Sequence, residues 1–89
     1  MAKVLVSMKV FPSDVDVDLD DLKKKIEKGL PDYASVHKFE EEPIAFGLKA
    51  LIVHILLPED QSGGIDEVES ALKRIDQISH FQTMMVRRI

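Results

Sequence analysis

The most apolar part of the chain is the ten-residue stretch Leu48–Leu57, LKALIVHILL. Only Lys49 and His54 interrupt it, and it is about half as long as the ~20 residues that a membrane-spanning helix requires. A short run rich in Leu, Ile and Val is typical of a strand that is buried on both faces. We therefore expect a strand at the centre of a sheet and no contact with a membrane.

The residues before this stretch show one strand pattern and one helix pattern. Apolar and polar residues alternate over residues 3–10, which predicts a half-buried strand that Pro12 ends. Apolar residues then recur at helical spacing, between a predicted N-cap at Asp18 and a stop at Gly29 and Pro31. This part of the chain therefore predicts a strand followed by an amphipathic helix.

Three further elements complete the predicted order. Residues 33–42 are extended but irregular, because Val36 and Phe39 fall on opposite faces of an ideal strand, so we expect an edge strand with a bulge between them. Helical spacing returns over residues 65–75, and alternation returns over residues 78–89. In the last strand we expect one face to carry Phe81, Thr83 and Met85 and the other His80, Gln82 and Met84.

The predicted order βαββαβ is that of the ferredoxin-like α+β fold. Right-handed crossovers in this fold place both helices on one face of a four-stranded antiparallel sheet, with the first and third strands at its centre. Leu48, Ala50 and Ile52 would then lie on the face that no helix covers, as a small solvent-facing patch or as a partner surface. The 89 residues suffice for one domain, which we assign to residues 1–89.

Composition excludes several classes of function. The net charge of −4 has the wrong sign for a protein that follows nucleic-acid phosphates over its whole surface. The absence of cysteine excludes disulfides, thiolate metal sites and cysteine nucleophiles, as is usual in the cytoplasm. The first residues, MAKVLVS, lack the apolar centre of an export signal. We expect a cytoplasmic protein.

Candidate metal and catalytic residues do not form recognisable sites. His37, His54 and His80 show no metal-motif spacing, so we expect each to be structural and expect no metal or cofactor. The pair Gly63-Gly64 lacks the Gly-Lys-Ser/Thr ending of a phosphate loop and predicts a flexible helix entry. RNA-binding relatives of this fold carry stacking aromatics on both central strands, but the predicted third strand has none. The residues therefore favour a binding protein that does not itself contact nucleic acid.

Two segments are too specific for generic packing. These are residues 37–51, HKFEEEPIAFGLKAL, and residues 86–89, VRRI. Both resemble the archaeal elongation factor 1-beta family, and the similarity extends over the whole chain. The resemblance implies a guanine nucleotide exchange factor for the GTPase elongation factor 1-alpha. It also implies that the chain binds this GTPase in both the GDP-bound and the nucleotide-free state. Such a factor makes and breaks no covalent bond.

The resemblance also implies which residues contact the GTPase. In eukaryotic relatives an aromatic residue between the second and third strands packs on the second domain of the GTPase, and this position is Phe46 here. A basic residue next to the C-terminus reaches the magnesium and phosphate region, and this position is Arg88. The relatives carry lysine there, whose ammonium is not equivalent to a guanidinium. The further partner-binding residues that we expect are Lys3, Pro43, Ile44, Gly47, Arg87 and Ile89.

Each assignment has an alternative. Phe46 could pack on its own sheet edge instead of serving as an exposed interface anchor. Arg87 and Arg88 alternate on the last strand, so only one can face a given partner, and both could belong to an ordinary charged terminus. The alternative for the whole chain is a small regulatory module that binds a metabolite between paired domains of this fold.

Overall fold

The computed structural model describes residues 3–59 and 63–89. The predicted order βαββαβ is confirmed. The elements are β1 Lys3–Pro12, α1 Leu19–Gly29, β2 Ser35–Pro43, β3 Lys49–Pro58, α2 Gly64–Lys73 and β4 Ile78–Arg88. A tight turn, Ala45–Gly47, joins β2 to β3. The centre of the expected loop before α2, residues 60–62, lies outside the described residues.

The four strands form one antiparallel sheet in the order β2-β3-β1-β4. As expected, β1 and β3 are central, and Val6 of β1 lies between Ile55 of β3 and Val86 of β4. Both helices lie on the same face of this sheet, because their buried residues join one core cluster with the strand residues that point towards them. The cluster comprises Val6, Met8, Val10, Leu22, Ile26, Leu51, Val53, Ile55, Leu57, Val68 and Leu72.

Local sequence signals explain where the helices begin. The Asp18 carboxylate accepts a hydrogen bond of 3.0 Å from the backbone N–H of Asp20, which caps α1 as predicted. The residue before α2 is Gly63, whose φ of 72° is a conformation that glycine adopts without strain. Among the helices of the described ranges, none is long and apolar enough to span a bilayer.

Bulges interrupt both edge strands. The register of β2 shifts between Val36 and Lys38, where the irregular sequence predicts a bulge. A second shift occurs in β4, because Met8 pairs with Thr83 whereas Ser7 pairs with Met85. The expectation that Met85 shares a face with Phe81 and Thr83 is therefore wrong. The extra residue at position 84 turns Met85 to the face of His80 and Gln82.

Charged and polar side chains cover the sheet face that the helices leave open. Ala50 lies on this face, yet it is fully buried, so the expected uncovered apolar stripe is incomplete. The side chain of Lys9 on β1 reaches across β3 to Glu42 on β2, with 3.3 Å between Nζ and Oε2. On the same face, the ring of His54 on β3 forms hydrogen bonds to a side chain of β1 and to a side chain of β2. Its Nδ1 atom lies 2.7 Å from the Ser7 hydroxyl, and its Nε2 atom lies 2.8 Å from Oε2 of Glu40.

Candidate functional site

A tight turn presents Phe46 at the end of the β2–β3 hairpin. The backbone N–H of Leu48 donates to the carbonyl of Ala45 over 3.1 Å, and the N–H of Ile44 donates to the carbonyl of Leu48 over 2.8 Å. The two residues at the tip both have positive φ, 61° for Phe46 and 77° for Gly47, as in a type I′ turn. Glycine adopts this conformation freely, whereas phenylalanine adopts it at a cost of roughly 1–2 kcal/mol.

The Phe46 side chain extends into solvent. Its exposed fraction is 94%, the largest among the exposed hydrophobic residues of the described ranges. The alternative that Phe46 packs on its own sheet edge is therefore wrong. Pro43 and Gly47 are exposed beside it and Ile44 is half-buried, so the residues expected at this contact lie together at one end of the sheet.

The other expected partner-binding residues lie together at the end of β4. The backbone N–H of Ile89 donates to the carbonyl of Lys3 over 2.9 Å, which fixes the last residue beside the start of β1. Arg88 is opposite Val4 and Arg87 is opposite Leu5, so the two guanidinium groups project from opposite faces, as expected. All four residues of this group are exposed: Lys3, Arg87, Arg88 and Ile89.

Arg88 has an ion-pair partner that the sequence pattern does not reveal. Its Nη2 atom contacts Oε1 of Glu59, which directly follows β3. The residues are distant in the chain and belong to no local motif. They meet because β3 and β4 both pair with β1, where Val4 is opposite Leu57 on one side and Arg88 on the other.

The two groups of expected partner-binding residues are far apart. Lys49, next to the Phe46 turn, is eight positions before Leu57 in β3, and Leu57 shares a row of the sheet with Arg88. At ~3.3 Å per residue, the two ends of the sheet are roughly 25 Å apart. The structure thus brings the expected residues together as two groups, one at each end of the sheet.

The three histidines occupy different environments. His54 bridges Ser7 and Glu40, His80 stacks on Phe11 with ring centroids 4.2 Å apart, and His37 is exposed near the β2 bulge. Within residues 3–59 and 63–89, no three side chains of the types that bind metals converge on one point. The contacts of His54 and His80 give these two rings a packing role in the sheet.

Two titratable groups are shifted by hydrogen bonds. The His54 ring, followed by the nearby Lys38 charge, lowers the pKa of Glu40. The Tyr33 hydroxyl donates to Glu67 of α2, and this hydrogen bond raises the pKa of Tyr33 to about 12. Both contacts connect the β2 region to neighbouring elements, and neither includes a residue of the Phe46 turn or of the end of β4.

Comparison with known proteins identifies a family for the whole domain. The family model for the EF-1 guanine nucleotide exchange domain matches residues 5–89. Elongation factor 1-beta of Staphylothermus marinus is 44% identical over 100% of this chain and 99% of its own length. Elongation factor 1-beta of Methanothermobacter thermautotrophicus is 42% identical over 100% of this chain and 99% of its own length. Elongation factor 1-beta of Sulfolobus acidocaldarius is 43% identical over 97% of this chain and 96% of its own length.

A solved structure of low sequence similarity supports the fold alone. The C-terminal domain of the MgtC protein from Mycobacterium tuberculosis superposes with a TM-score of 0.56 at 7% identity. The match covers 92% of this chain and 87% of that domain. Because so many unrelated functions share one fold, this likeness says nothing about the activity.

Proposed function

The chain belongs to the family of EF-1 guanine nucleotide exchange domains, and we propose that it grips elongation factor 1-alpha through two contacts, the Phe46 turn and the end of β4. Its function is guanine nucleotide exchange in translation elongation. The regulatory metabolite-binding module is not favoured, because the family match extends over residues 5–89. Exchange requires no chemistry on a covalent bond, so the two contacts need to supply binding energy only.

Exchange follows from a difference in affinity. A protein that binds the nucleotide-free GTPase more tightly than the GDP-bound form must, by linkage, weaken the binding of GDP by the same factor. The factor then leaves when GTP binds. The contacts that matter are therefore those that are stronger when the nucleotide site is empty.

The exposure of Phe46 at the tip of the turn is the main support for the proposal. A ring that is 94% exposed gains no burial when the domain folds, and the positive φ of Phe46 adds backbone strain that lowers the stability of the isolated domain. Aromatic anchors that a partner buries are frequent hot spots of binding energy. The turn is well suited to insert Phe46 into an apolar pocket of the GTPase.

The end of β4 supplies the second contact. Arg88 is a cation that can approach the magnesium and phosphate region of the GTPase, where it would oppose the metal by charge repulsion and compete for its ligands. The last residues of the chain also expose apolar area, because four hydrophobic side chains there are about half exposed: Met84, Met85, Val86 and Ile89. Phe46 and Arg88 lie at opposite ends of the sheet, roughly 25 Å apart, so each contact reaches a different part of the GTPase.

The proposal extends to the cellular setting. Elongation takes place in the cytoplasm, and we place the protein there. The net charge of −4 and a β3 without aromatic residues favour an action on the GTPase that involves no direct contact with nucleic acid.

The test is release of fluorescently labelled GDP from a matching archaeal elongation factor 1-alpha. We expect the chain to accelerate release at substoichiometric amounts, because each molecule leaves when GTP binds and can act again. Phe46→Ala should weaken binding to the nucleotide-free GTPase by about 2 kcal/mol or more. A rate of release that does not change over a wide range of protein concentrations would exclude the proposed function.

A further inference from the structure

The Glu59–Arg88 ion pair assigns a role to a residue outside both expected contacts. We propose that Glu59 is a positioning residue that holds the Arg88 guanidinium in the orientation in which it meets the GTPase. This proposal rests on the function proposed above. Glu59 directly follows β3, and Arg88 is the last residue of β4. The pair therefore connects the two strands that flank β1 at this end of the sheet.

The exposure of the two side chains indicates that the pair presents Arg88 and does not hide it. The Glu59 side chain is 31% exposed, whereas that of Arg88 is 74% exposed. The carboxylate is the more enclosed partner, and the guanidinium is the accessible one. A partner molecule can thus reach Arg88 while Glu59 still holds it.

The shape of the guanidinium permits both contacts at once. Arginine carries five N–H donors in a planar fork, and the contact with Glu59 is made through Nη2. The donors on Nη1 and Nε point in other directions and can bind an oxygen of the GTPase. Lysine, with a single ammonium nitrogen, would have to share one point charge between the two acceptors. The pair with Glu59 thus suits an arginine better than a lysine at position 88.

Restricting Arg88 before binding should raise the rate of exchange. A long side chain next to the end of a strand samples many rotamers, and ordering it on binding costs free energy that a preorganised side chain avoids. Arg87, opposite Leu5 on the other face, offers an internal comparison. The ion pair therefore selects one of two adjacent arginines for the contact at this end of the sheet.

Glu59→Gln tests the proposal, because it removes the charge and keeps the size of the side chain. We expect the maximal rate of GDP release to fall about threefold, the scale of an exposed ion pair, while the concentration for half-maximal rate changes little. Glu59→Asp, which retains the charge, should restore part of the rate. Glu27→Gln on α1 makes the same change in charge on an exposed helix position and should leave the rate unchanged.

Several results would overturn the proposal. The first is faster release with Glu59→Gln, which would mean that Glu59 withholds Arg88. The second is an equal loss from Glu59→Gln in wild-type and Arg88→Ala backgrounds, because a residue that acts through Arg88 has no further effect once Arg88 is gone. In the free protein, the NMR signal of the Arg88 Nε–H group should also move in Glu59→Gln, and an unmoved signal would contradict the pair itself.

A different result would show that the contact proposed for Arg88 is wrong. If GDP release with Arg88→Ala is as fast as with the wild-type protein, the end of β4 makes no such contact, and Glu59 has no role in exchange through it. If Arg88→Ala slows release and Glu59→Gln does not, the contact stands and only the positioning role is excluded.

Discussion

At the scale of single residues, Phe46 sets function against stability. Type I′ turns favour Asn-Gly, because asparagine tolerates positive φ and glycine follows it freely. This chain has Phe46-Gly47 at the two positive-φ positions and leaves the ring in water. Because the turn itself does not favour phenylalanine at this position, we propose that Phe46 is there to bind a partner.

Phe46→Asn separates the two requirements. We expect the free energy of unfolding to rise by about 1 kcal/mol, because asparagine adopts positive φ with less strain than phenylalanine and the ring that is lost contributes no burial. Binding to the nucleotide-free GTPase should weaken by about 2 kcal/mol or more. Urea denaturation and calorimetry measure the two quantities. A destabilised variant that binds normally would show that the turn is structural and not an anchor.

Arg88 and Arg87 differ in the face from which they project. We expect Arg88→Ala to slow GDP release more than it weakens association with the nucleotide-free GTPase, because a cation beside the magnesium site acts while nucleotide is leaving. Arg87→Ala should have the smaller effect. Raising the magnesium concentration should oppose the wild-type protein more than the Arg88 variant. Wild-type rates for both variants at all magnesium concentrations would make the terminus an ordinary charged tail.

At the scale of elements, the open face attaches the edge strand β2 to the centre of the sheet. The His54 ring bridges β1 and β2 through Ser7 and Glu40, and the ion pair between Lys9 and Glu42 spans the same three strands. Because β2 carries the Phe46 turn at its end, these contacts also hold the turn in place.

The Glu40 contact predicts a response to acid. Since His54 and Lys38 lower the pKa of Glu40 in the folded state, its contribution to stability is complete above the unfolded value near 4.5. This contribution is lost as the pH falls through the lower, folded-state value. Glu40→Gln should therefore flatten the dependence of the urea midpoint on pH below about pH 5. Curves for Glu40→Gln and wild type that are parallel in this range would contradict the assignment.

The contact between Tyr33 and α2 can be read directly. Tyr33 is the one tyrosine of a chain without tryptophan, so ultraviolet absorbance reports its ionisation alone. We expect a midpoint at about 12, because the phenol donates to Glu67 and must lose this hydrogen bond on ionisation. Glu67→Gln should move the midpoint back towards 10. A wild-type midpoint already near 10 would show that the hydrogen bond is absent in solution.

The order of the helices and strands could be predicted from the sequence, but of the bulges in β2 and β4 only the one in β2 could. The β2 bulge is visible because Val36 and Phe39 contradict strict alternation. The β4 bulge is not visible, because Met84 and Met85 are both apolar and either could face inward. Alternation thus reveals an inserted residue only where the insertion changes which side chains are apolar.

At the scale of the whole molecule, the expected partner-binding residues form two groups at opposite ends of the sheet. The choice of these residues rests on the resemblance and stays a prediction, whereas the order of the elements along the chain could be predicted from hydrophobic periodicity. The positive φ of Phe46 could not, because only Gly47 signals such a turn. The Glu59–Arg88 pair could not either, because it depends on the register of both strands against β1.

The requirement for both contacts can be tested by measuring the rate of labelled GDP release. Four samples are compared: the wild-type protein, Phe46→Asn, Arg88→Ala and an equimolar mixture of the two variants. If one molecule must make both contacts on one GTPase, the wild type accelerates release, each variant is slower, and the mixture is no faster than the two variants acting separately. A mixture that restores the wild-type rate would contradict the two-contact account, and so would a wild-type protein that leaves GDP release unchanged.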